Sequence, residues 1–548
     1  ASLRLIERRI GLLFAVFLAA LAVATVRAAW LGTVQAADLR GRAVAQQVED
    51  LRVPARRGTI SDRRGVELAV SEDSVTVFAN PLLIKDPAGV AAKLAPLLGR
   101  PEPELIEALG DRRKGFVYLA RKLPLARGDR VTKLAVEGVG TLVEPRRRYP
   151  QGPLAAQLLG AVGTDNYGLA GIEQTRDDRL RGRDGRRRVV KDALGKPINI
   201  VETERAVAGH DLRLTIDAAI QERAERVLGE VAEEWKPKGA TALVIDPRNG
   251  ELLALANWPR VDPADFGSAP DYARQNRAVS ATYEPGSTFK AFTVAGALEE
   301  AEITPDSLFD LPPQIQVADR TIGEAHDRGA ITLSVANILK QSSNVGSVKV
   351  GQRLGDVRFD RWVRRFGFGS VTDVDLPGES GGIVPRPREY SGASLGNLPI
   401  GQGLAVTPIQ MATAYAAIAR GGVARRPHLE LGAPAPARRV ISARTAHQVS
   451  RMLEGVLGPG GTAEEARVRG YKLAGKTGTA EKPDAQGGYS KSAFVSSFIG
   501  FAPARNPRLL VAVVVDEPQG EIYGGVVAAP AFEKIVSFAL PYMRIPPH

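Results

Sequence analysis

The sequence predicts a mixed α/β (α+β) protein whose largest domain is built on a central antiparallel sheet. Three observations carry this expectation. Apolar, β-rich runs stand at both ends of residues 211–548, at Thr241–Ala256 and at Ser492–Ile499 and Leu509–Val515, while the space between them reads as helix. The Thr241–Ala256 run is broken by Asn249-Gly250, the residue pair that favours a two-residue hairpin turn. Upstream, a long uncharged stretch precedes a strand-turn-strand pattern, so a membrane-length helix and a further strand-bearing region are expected before residue 211.

The chain has 548 residues and is 44% hydrophobic, enough for two or three domains with full cores. It contains no cysteine, which excludes disulfides and thiolate metal sites. Net charge is +12, from 73 Lys and Arg against 61 Asp and Glu. The basic residues are spread, apart from Arg146–Arg148 and Arg181–Arg188. That distribution suits a solvated basic face, or attraction to an anionic membrane or wall polymer, and no nucleic-acid partner is expected.

Taken in order, residues 1–9 read as a cytoplasmic tail and residues 10–31 as a transmembrane helix. Ile10 to Val26 carries no charge over 17 residues, about 26 Å of helix; extension to Leu31, with Trp30 at the interface, reaches the roughly 30 Å of a bilayer core. The length of the apolar run favours an uncleaved anchor over a cleaved signal peptide. Arg4, Arg8 and Arg9 before the span place the N-terminus inside and everything after about residue 32 outside. With no initiator methionine, the tail is expected to be longer in the native protein. Ala37–Leu51 reads as a short polar helix. Arg57–Gly65 and Val66–Ala69 read as strand, turn and strand, and Asp86–Leu134 as helical in pattern. Residues 181–197 look like a linker, Leu212–Asp217 like a strand, and Ala218–Trp235 like an amphipathic helix. Pro530 opens a last helix, Ala531–Leu540, expected to pack on the sheet.

The chemistry gathers around Tyr283-Glu-Pro-Gly-Ser-Thr-Phe-Lys290. Pro285 and Gly286 form a turn that delivers Ser287 to a helix start. Lys290 follows three residues later, on the same helix face. A serine hydroxyl is a weak nucleophile until a base takes its proton. A lysine is that base when burial and a second cation keep it neutral, and a helix N-terminus offers N–H groups to a developing oxyanion. Alone, S-x-x-K is weak: roughly two matches are expected by chance at this length. Two further elements follow in order. Ser342-Ser343-Asn344 lies 55 positions after Ser287, and Lys476-Thr477-Gly478-Thr479 lies 132 positions after Asn344.

This ordered set resembles the penicillin-binding protein and serine β-lactamase superfamily. EPGSTFK, SSNVG, KTGTAEK and Gly401-Gln-Gly-Leu-Ala-Val-Thr-Pro-Ile-Gln410 are similar to class B penicillin-binding proteins, and SSNVG to their division-specific, FtsI-type members. Arg57-Gly-Thr-Ile-Ser-Asp-Arg-Arg-Gly65, Arg148-Tyr-Pro150 with Leu158-Leu-Gly160, and Gly168-Leu-Ala-Gly-Ile-Glu173 resemble the signatures of their non-catalytic pedestal domain. The resemblance implies an elongated α+β pedestal (dimerisation-like) domain at 32–210 and a transpeptidase domain at 211–548. Arg57, Gly58, Asp62, Arg63, Gly171 and Glu173 would be structural residues of the pedestal. Ser287 would be the acylated nucleophile, Lys290 its base, Ser342 the proton shuttle, and Asn344 the residue that holds Lys290 and a substrate amide. Lys476 would supply positive charge and help keep Lys290 neutral. Thr477 and Thr479, with Gly478 between them, would bind a terminal carboxylate, and the N–H groups of Ser287 and Thr479 would form the oxyanion hole. No cofactor and no metal are implied.

The activity implied is a serine-type D-Ala-D-Ala transpeptidase (an acyltransferase of the carboxypeptidase-like class) that cross-links peptidoglycan stem peptides on lipid-linked precursor strands and is trapped by β-lactams. It would serve septum formation with an FtsW-type membrane glycosyltransferase and other divisome proteins. An elongation-specific paralogue or a catalytically idle division scaffold are the alternatives. A class A β-lactamase is disfavoured because no E-x-x-x-N occurs between Asn344 and Lys476. A β-lactam sensor is disfavoured by the short tail before the span, and a bifunctional enzyme by the pedestal signatures before residue 210.

Overall fold

The structure is a computed structural model that describes residues 2–36, 48–191, 197–484 and 487–547. They gather into two compact units, Ala1–Arg56 with Gly182–Gly209, and Arg57–Arg181 with His210–His548.

In the first unit a helix runs over Ser2–Thr33 and contains the apolar stretch expected at 10–31. Its Arg8–Thr33 part has a mean hydropathy of 2.3, is long and apolar enough to cross a membrane, and is not buried against protein. The polar helix expected over Ala37–Leu51 is corrected in part: Val48–Val53 is a strand, and residues 37–47 lie outside the described ones. The linker expected over 181–197 is also corrected. Gly185–Lys191 and Pro197–Glu204 are strands, and with Val48–Val53 they form a three-stranded antiparallel sheet whose middle strand is Gly185–Lys191. The arginines hid this strand. Arg186–Arg188 are exposed, and a ladder of backbone hydrogen bonds tolerates charge on a solvated face.

The second unit opens with Ile60–Ser61 and Glu67–Ala79, the strand-turn-strand expected there. Val117–Pro124 and Val139–Arg148 flank Glu67–Ala79 as antiparallel partners. Within 86–134, helices cover Pro87–Leu98, Glu102–Gly110 and Leu125–Lys133, with Val117–Pro124 as a strand among them. Val75, Val77, Leu94, Leu105, Leu119 and Val131 form the small core beneath the helices.

An ion-pair network ties Arg57 to this region. The Arg57 guanidinium donates through Nη2 to Glu173 Oε2 at 2.7 Å and through Nη1 to Asp177 Oδ1 at 2.5 Å, and the Arg57 and Glu173 side chains are fully buried. Arg147 Nε donates to Glu173 Oε1 at 2.5 Å. Gly171 sits at φ 58°, where a Cβ would press against Leu158 O at 2.5 Å, and Gly58 has a similar constraint, since its Cβ would lie 2.0 Å from His210 O. Asp62 accepts from the backbone N–H groups of Arg64 and Val66 and, through Oδ2, from Ala218 at 3.0 Å. Arg63 pairs with Glu251 at 3.1 Å. Asp62 thus fastens the 57–66 turn to the helix that starts at Ala218, and Arg63 fastens it to Glu251.

That helix is α1, Ala218–Trp235, capped by Asp217, whose carboxylate accepts from Ala219 and Ile220. The strand expected over Leu212–Asp217 is shorter, Leu212–Arg213, because Asp217 leaves it to cap α1. The hairpin forms β1, Gly239–Asp246, and β2, Glu251–Trp258. Helix α2 is Lys290–Glu299, α3 is Asn344–Leu354, and α4 is Pro408–Ala419. Strands β3, Ala474–Pro483, β4, Tyr489–Ala502, and β5, Leu509–Asp516, complete the sheet, and α5, Ala529–Tyr542, closes the chain. The sheet order is β2-β1-β5-β4-β3, with every neighbouring pair antiparallel. One face carries Ala242, Val244, Val511, Val513 and Phe498 against α1 and α5. The other carries Leu243, Ile245, Leu510, Ala512 and Ile499 against α2 and α4. Both faces are apolar because both are covered, and each fully buried Leu, Ile or Phe contributes about 1.5–3 kcal/mol.

Replacing Glu173 by Ala leaves the buried guanidiniums of Arg57 and Arg147 without their shared counter-charge. The expected loss is about 3–5 kcal/mol of stability, read from chemical denaturation, and a loss below about 1 kcal/mol would show that the network is not what secures this region.

Candidate active site

Ser287 lies on a short 3-10 turn, Gly286–Phe289, that leads directly into α2. Gly286 adopts φ 53°, and its N–H donates to Gly401 O at 3.0 Å. The Gly401–Gln410 stretch thus braces the turn from behind. Tyr283 and Val406 exchange backbone hydrogen bonds, at 3.0 and 2.9 Å, and Tyr415 Oη donates to Thr288 O at 2.6 Å. Thr407 and Gln410 form a capping box at the start of α4, which fixes where that brace ends. Ser287 itself is partly exposed.

Lys290 is fully buried. Its Nζ donates to Ser342 O at 2.6 Å, to Asn344 Oδ1 at 2.6 Å and to Ser342 Oγ at 3.3 Å. Ser342 stands at φ 61°, a left-handed conformation that is unfavourable for a non-glycine residue and that belongs to the sharp turn between helix Val335–Lys340 and α3. Asn344 begins α3 and donates through Nδ2 to Gly323 O at 2.9 Å. Its amide is therefore held from both sides, with the oxygen turned to Lys290. Burial pushes the Lys290 ammonium down to about 7, against the opposing field of Glu324. A lysine with that value is substantially neutral at pH 7–8 and acts there as a base.

Lys476 is fully buried on β3 and donates to Thr477 O at 3.2 Å and Thr477 Oγ1 at 3.3 Å. Burial, and then the like charge of Lys290, hold it well below the ordinary lysine range. Repulsion is mutual, so the pair favours one proton over two. Thr477 Oγ1 also lies 2.7 Å from Thr462 Oγ1, and Thr479 Oγ1 accepts from Gly524 N at 3.1 Å. Gly478 permits the closest approach: a Cβ there would sit 2.9 Å from Thr288 Cγ2 and 3.0 Å from Pro285 O. A Cβ on Gly286 would sit 3.0 Å from Thr479 O. Strand β3 is thus pressed edge-on against the turn that carries Ser287.

The structure brings Lys290, Ser342 and Asn344 into direct hydrogen-bond contact and lays Gly478 and Thr479 along the Ser287 turn. Among the described residues the Ser287 hydroxyl makes no side-chain hydrogen bond, and Lys290 is turned to Ser342 and Asn344. Arg57, Gly58, Asp62, Arg63, Gly171 and Glu173 make no hydrogen bond to this set among the described residues.

Sequence reasoning missed Glu324. Its carboxylate accepts from Ser343 Oγ at 2.7 Å, from Asn344 N at 2.7 Å and from Val345 N at 3.3 Å, and it pairs with Arg328. Burial works against its ionisation, but the Ser343, Asn344 and Arg328 donors outweigh burial and hold the carboxyl below its ordinary range. An anion at the N-terminus of α3 is favourable in itself, and this one fixes the backbone that presents Asn344. No spacing rule points to it, because it stands 20 positions before Asn344 on a separate strand-loop segment. Thr462 was missed for the same reason.

A partly exposed serine on a helix-initiating turn, a buried lysine of lowered proton affinity one turn on, and a Ser-Asn pair hydrogen-bonded to that lysine define a serine acyltransferase site. Comparison with known proteins agrees. The profile of the penicillin binding protein transpeptidase domain matches residues 240–537, and that of the penicillin-binding protein dimerisation domain matches residues 52–214. The peptidoglycan D,D-transpeptidase FtsI of Escherichia coli is 33% identical over 99% of this chain and 93% of its own length. The probable peptidoglycan D,D-transpeptidase PenA of Neisseria gonorrhoeae is 34% identical over 95% of this chain and 90% of its own. The crystal structure of penicillin binding protein 3 from Mycobacterium tuberculosis complexed with aztreonam superposes with a TM-score of 0.71 at 30% identity, covering 91% of this chain and 98% of that one. The chain belongs to the class B penicillin-binding proteins and is a serine-type peptidoglycan D,D-transpeptidase.

The rate of acylation by a penicillin is expected to rise with pH through a midpoint near 7, as Lys290 loses its proton, and then to level. A midpoint near 10 would show that Lys290 is solvated and ordinary. Because Glu324 favours the ammonium form of Lys290, Glu324→Gln is expected to move that midpoint to lower pH and to slow acylation through loosening of Asn344. An unchanged profile would contradict the role given to Glu324.

Proposed function

We propose that this protein cross-links septal peptidoglycan during bacterial cell division, through an acyl-enzyme on Ser287. The observation that carries the chemistry is the fully buried Lys290 amine, held by Ser342 and Asn344 beside the Ser287 turn. Ser287 Oγ attacks the penultimate D-Ala carbonyl of a stem pentapeptide. Its proton passes to Lys290 Nζ and, by way of Ser342 Oγ, to the departing amine as the peptide C–N bond breaks and D-Ala leaves. An amine on a neighbouring stem then attacks the ester carbonyl, forms the cross-link and returns Ser287 to its hydroxyl form. The backbone N–H groups of Ser287 and Thr479 take the oxyanion, a feature contributing about 10²–10³ in rate per donor.

The terminal carboxylate of the donor binds at Thr477 and Thr479. Thr477 Oγ1 already accepts from Lys476, which leaves its own proton for Thr462 or for that carboxylate. Lys476 supplies positive charge to the site and helps keep Lys290 neutral, while the like charge of Lys290 lowers Lys476 in turn. β-Lactams present a strained amide to the same groups and trap Ser287.

We further propose a pedestal at 32–210 and a transpeptidase domain at 211–548, with Arg57, Gly58, Asp62, Arg63, Gly171 and Glu173 serving structure. The protein is a single-pass protein of the cytoplasmic membrane, anchored by residues 10–31, its N-terminus inside and its catalytic domain outside. The basic residues before the apolar span support that orientation. Ser342-Ser-Asn-Val-Gly346 supports the septal role over the elongation-specific one, with an FtsW-type glycosyltransferase and other divisome proteins as partners; recovery of an elongation polymerase instead, when the protein is purified from membranes, would reverse that assignment.

Intact mass after incubation with benzylpenicillin tests the chemistry. A stable adduct of one acyl group is expected on the wild type and none on Ser287→Ala, with labelling of Lys290→Ala slowed by about 10²–10⁴. An adduct that turns over within seconds would make the protein a β-lactamase, and labelling of Ser287→Ala would displace the nucleophile.

A further inference from the structure

The sequence carries two basic tracts, and the structure neutralises the first: Arg146 and Arg148 pair with Glu72, and Arg147 pairs with Glu173. Positive charge without a counter-charge lies elsewhere, at Arg420, Arg438, Arg439 and Arg444. All four are exposed, and among the described residues none of them has a carboxylate within 4.0 Å. They stand together. Strands Val423–Arg425 and Ala437–Arg439 pair antiparallel, with Arg438 opposite Ala424 and Arg439 opposite Val423. Arg439 Nη1 donates to Gly421 O at 3.1 Å and to Ile441 O at 3.2 Å, which sets its guanidinium between Arg420 and the helix Ala443–Val456 that carries Arg444. Helix ends do not account for the cluster. Arg420 follows the C-terminus of α4, where a cation is favoured, but Arg444 lies in the first turn of its helix, where a cation is disfavoured and no acidic residue stands. Arg438 and Arg439 are on a strand.

Two helices connect the cluster to the active site. Helix α2 begins at Lys290 and ends at Glu299, whose carboxylate accepts from the N–H and hydroxyl of Ser442, the cap of the Arg444 helix, at 3.0 and 2.9 Å. Helix α4 begins at the capping box beside the Gly401 brace and ends at Arg420. Their ten and twelve residues span about 15 and 18 Å, so the cluster stands at the ends of both helices that are remote from the Ser287 turn. Four guanidiniums in solvent suit a repeating polyanion better than one small ion, and their planar forks match carboxylates in two-pronged hydrogen bonds. The reaction itself supplies such a polymer. Each stem peptide that has not yet served as a donor ends in a carboxylate, and the cleft takes one of them at a time. We propose that Arg420, Arg438, Arg439 and Arg444 form a second binding surface for a peptidoglycan strand, holding carboxylates of stem peptides other than the one being cross-linked. The proposal rests on the transpeptidase reading and adds to it a contact that keeps the enzyme on the polymer between turnovers.

Co-sedimentation of the full chain with insoluble peptidoglycan tests this, the cleft being blocked first with benzylpenicillin so that only the second surface is read. The acylated wild type is expected to sediment at low salt and to be released as salt rises from about 50 to about 300 mM. The triple variant Arg438→Gln, Arg439→Gln, Arg444→Gln is expected to bind about tenfold more weakly, since exposed charge pairs each contribute a fraction of a decade. Its labelling by benzylpenicillin is expected to match the wild type, because none of these residues touches the cleft. Amidation of the polymer's carboxylates is expected to release the wild type, a result that needs no variant to fold. An acylated wild type that stays in solution, a triple variant that sediments like the wild type, or undiminished binding to the amidated polymer would each overturn the proposal. Displacement by polyphosphate but not by polyglutamate would assign the surface to a phosphodiester polymer and overturn it as well. Failure of benzylpenicillin to label the wild type would overturn the transpeptidase reading and the proposal with it.

Discussion

The site depends on the burial of two amines. Lys290 and Lys476 are both fully enclosed, one on α2 and one on β3, and neither forms an ion pair among the described residues. Desolvation of an ammonium is costly, and burial lowers the proton affinity of both amines, with the like charge of Lys290 adding to the effect at Lys476. Much of the rest of the fold serves to keep water from these groups. The apolar sheet faces, the capping box of α4 and the Gly401 brace each hold a wall in place. Gly286 and Gly478 let the walls close to contact distance, where any side chain would force them apart.

A neutral lysine is useful only where it is aimed. The aiming here is done by hydrogen-bond acceptors, Ser342 O and Asn344 Oδ1, both at 2.6 Å. They sit at a helix start whose first N–H groups belong to Glu324. A carboxylate that touches no reacting atom thus determines where the amide of Asn344 stands. It also tempers the proton loss of Lys290, so that the base is weakened toward neutrality without losing its affinity for a proton altogether. The strained backbone of Ser342 is a further cost carried by the turn, and its carbonyl is what Lys290 gains from it.

Much of the site was legible in the residues. Ser287 and Lys290 are separated by one helical turn, and the Pro-Gly pair before them marks the turn that presents them. Asn249-Gly250 marked the β1–β2 hairpin, and the Val-rich run at 509–515 marked β5. What stayed hidden has a physical pattern. Glu324 and Thr462 act through tertiary contacts to backbone N–H groups or hydroxyls, and such contacts leave no periodic trace. The strands at 185–191 and 197–204 were hidden by composition, since a solvated ladder carries arginine as readily as threonine. The end of the strand at 212 was hidden by Asp217, which reads equally as a strand residue and as a cap.

The most direct test of this account is the titration of Lys290 itself. Lysine labelled at the ε-carbon with ¹³C reports amine protonation by NMR, and the Lys290 signal is the one absent from Lys290→Met. The account predicts a transition near pH 7. A Lys290 signal that stays in the ammonium position to pH 10 would contradict it, and the base that activates Ser287 would then have to be sought elsewhere.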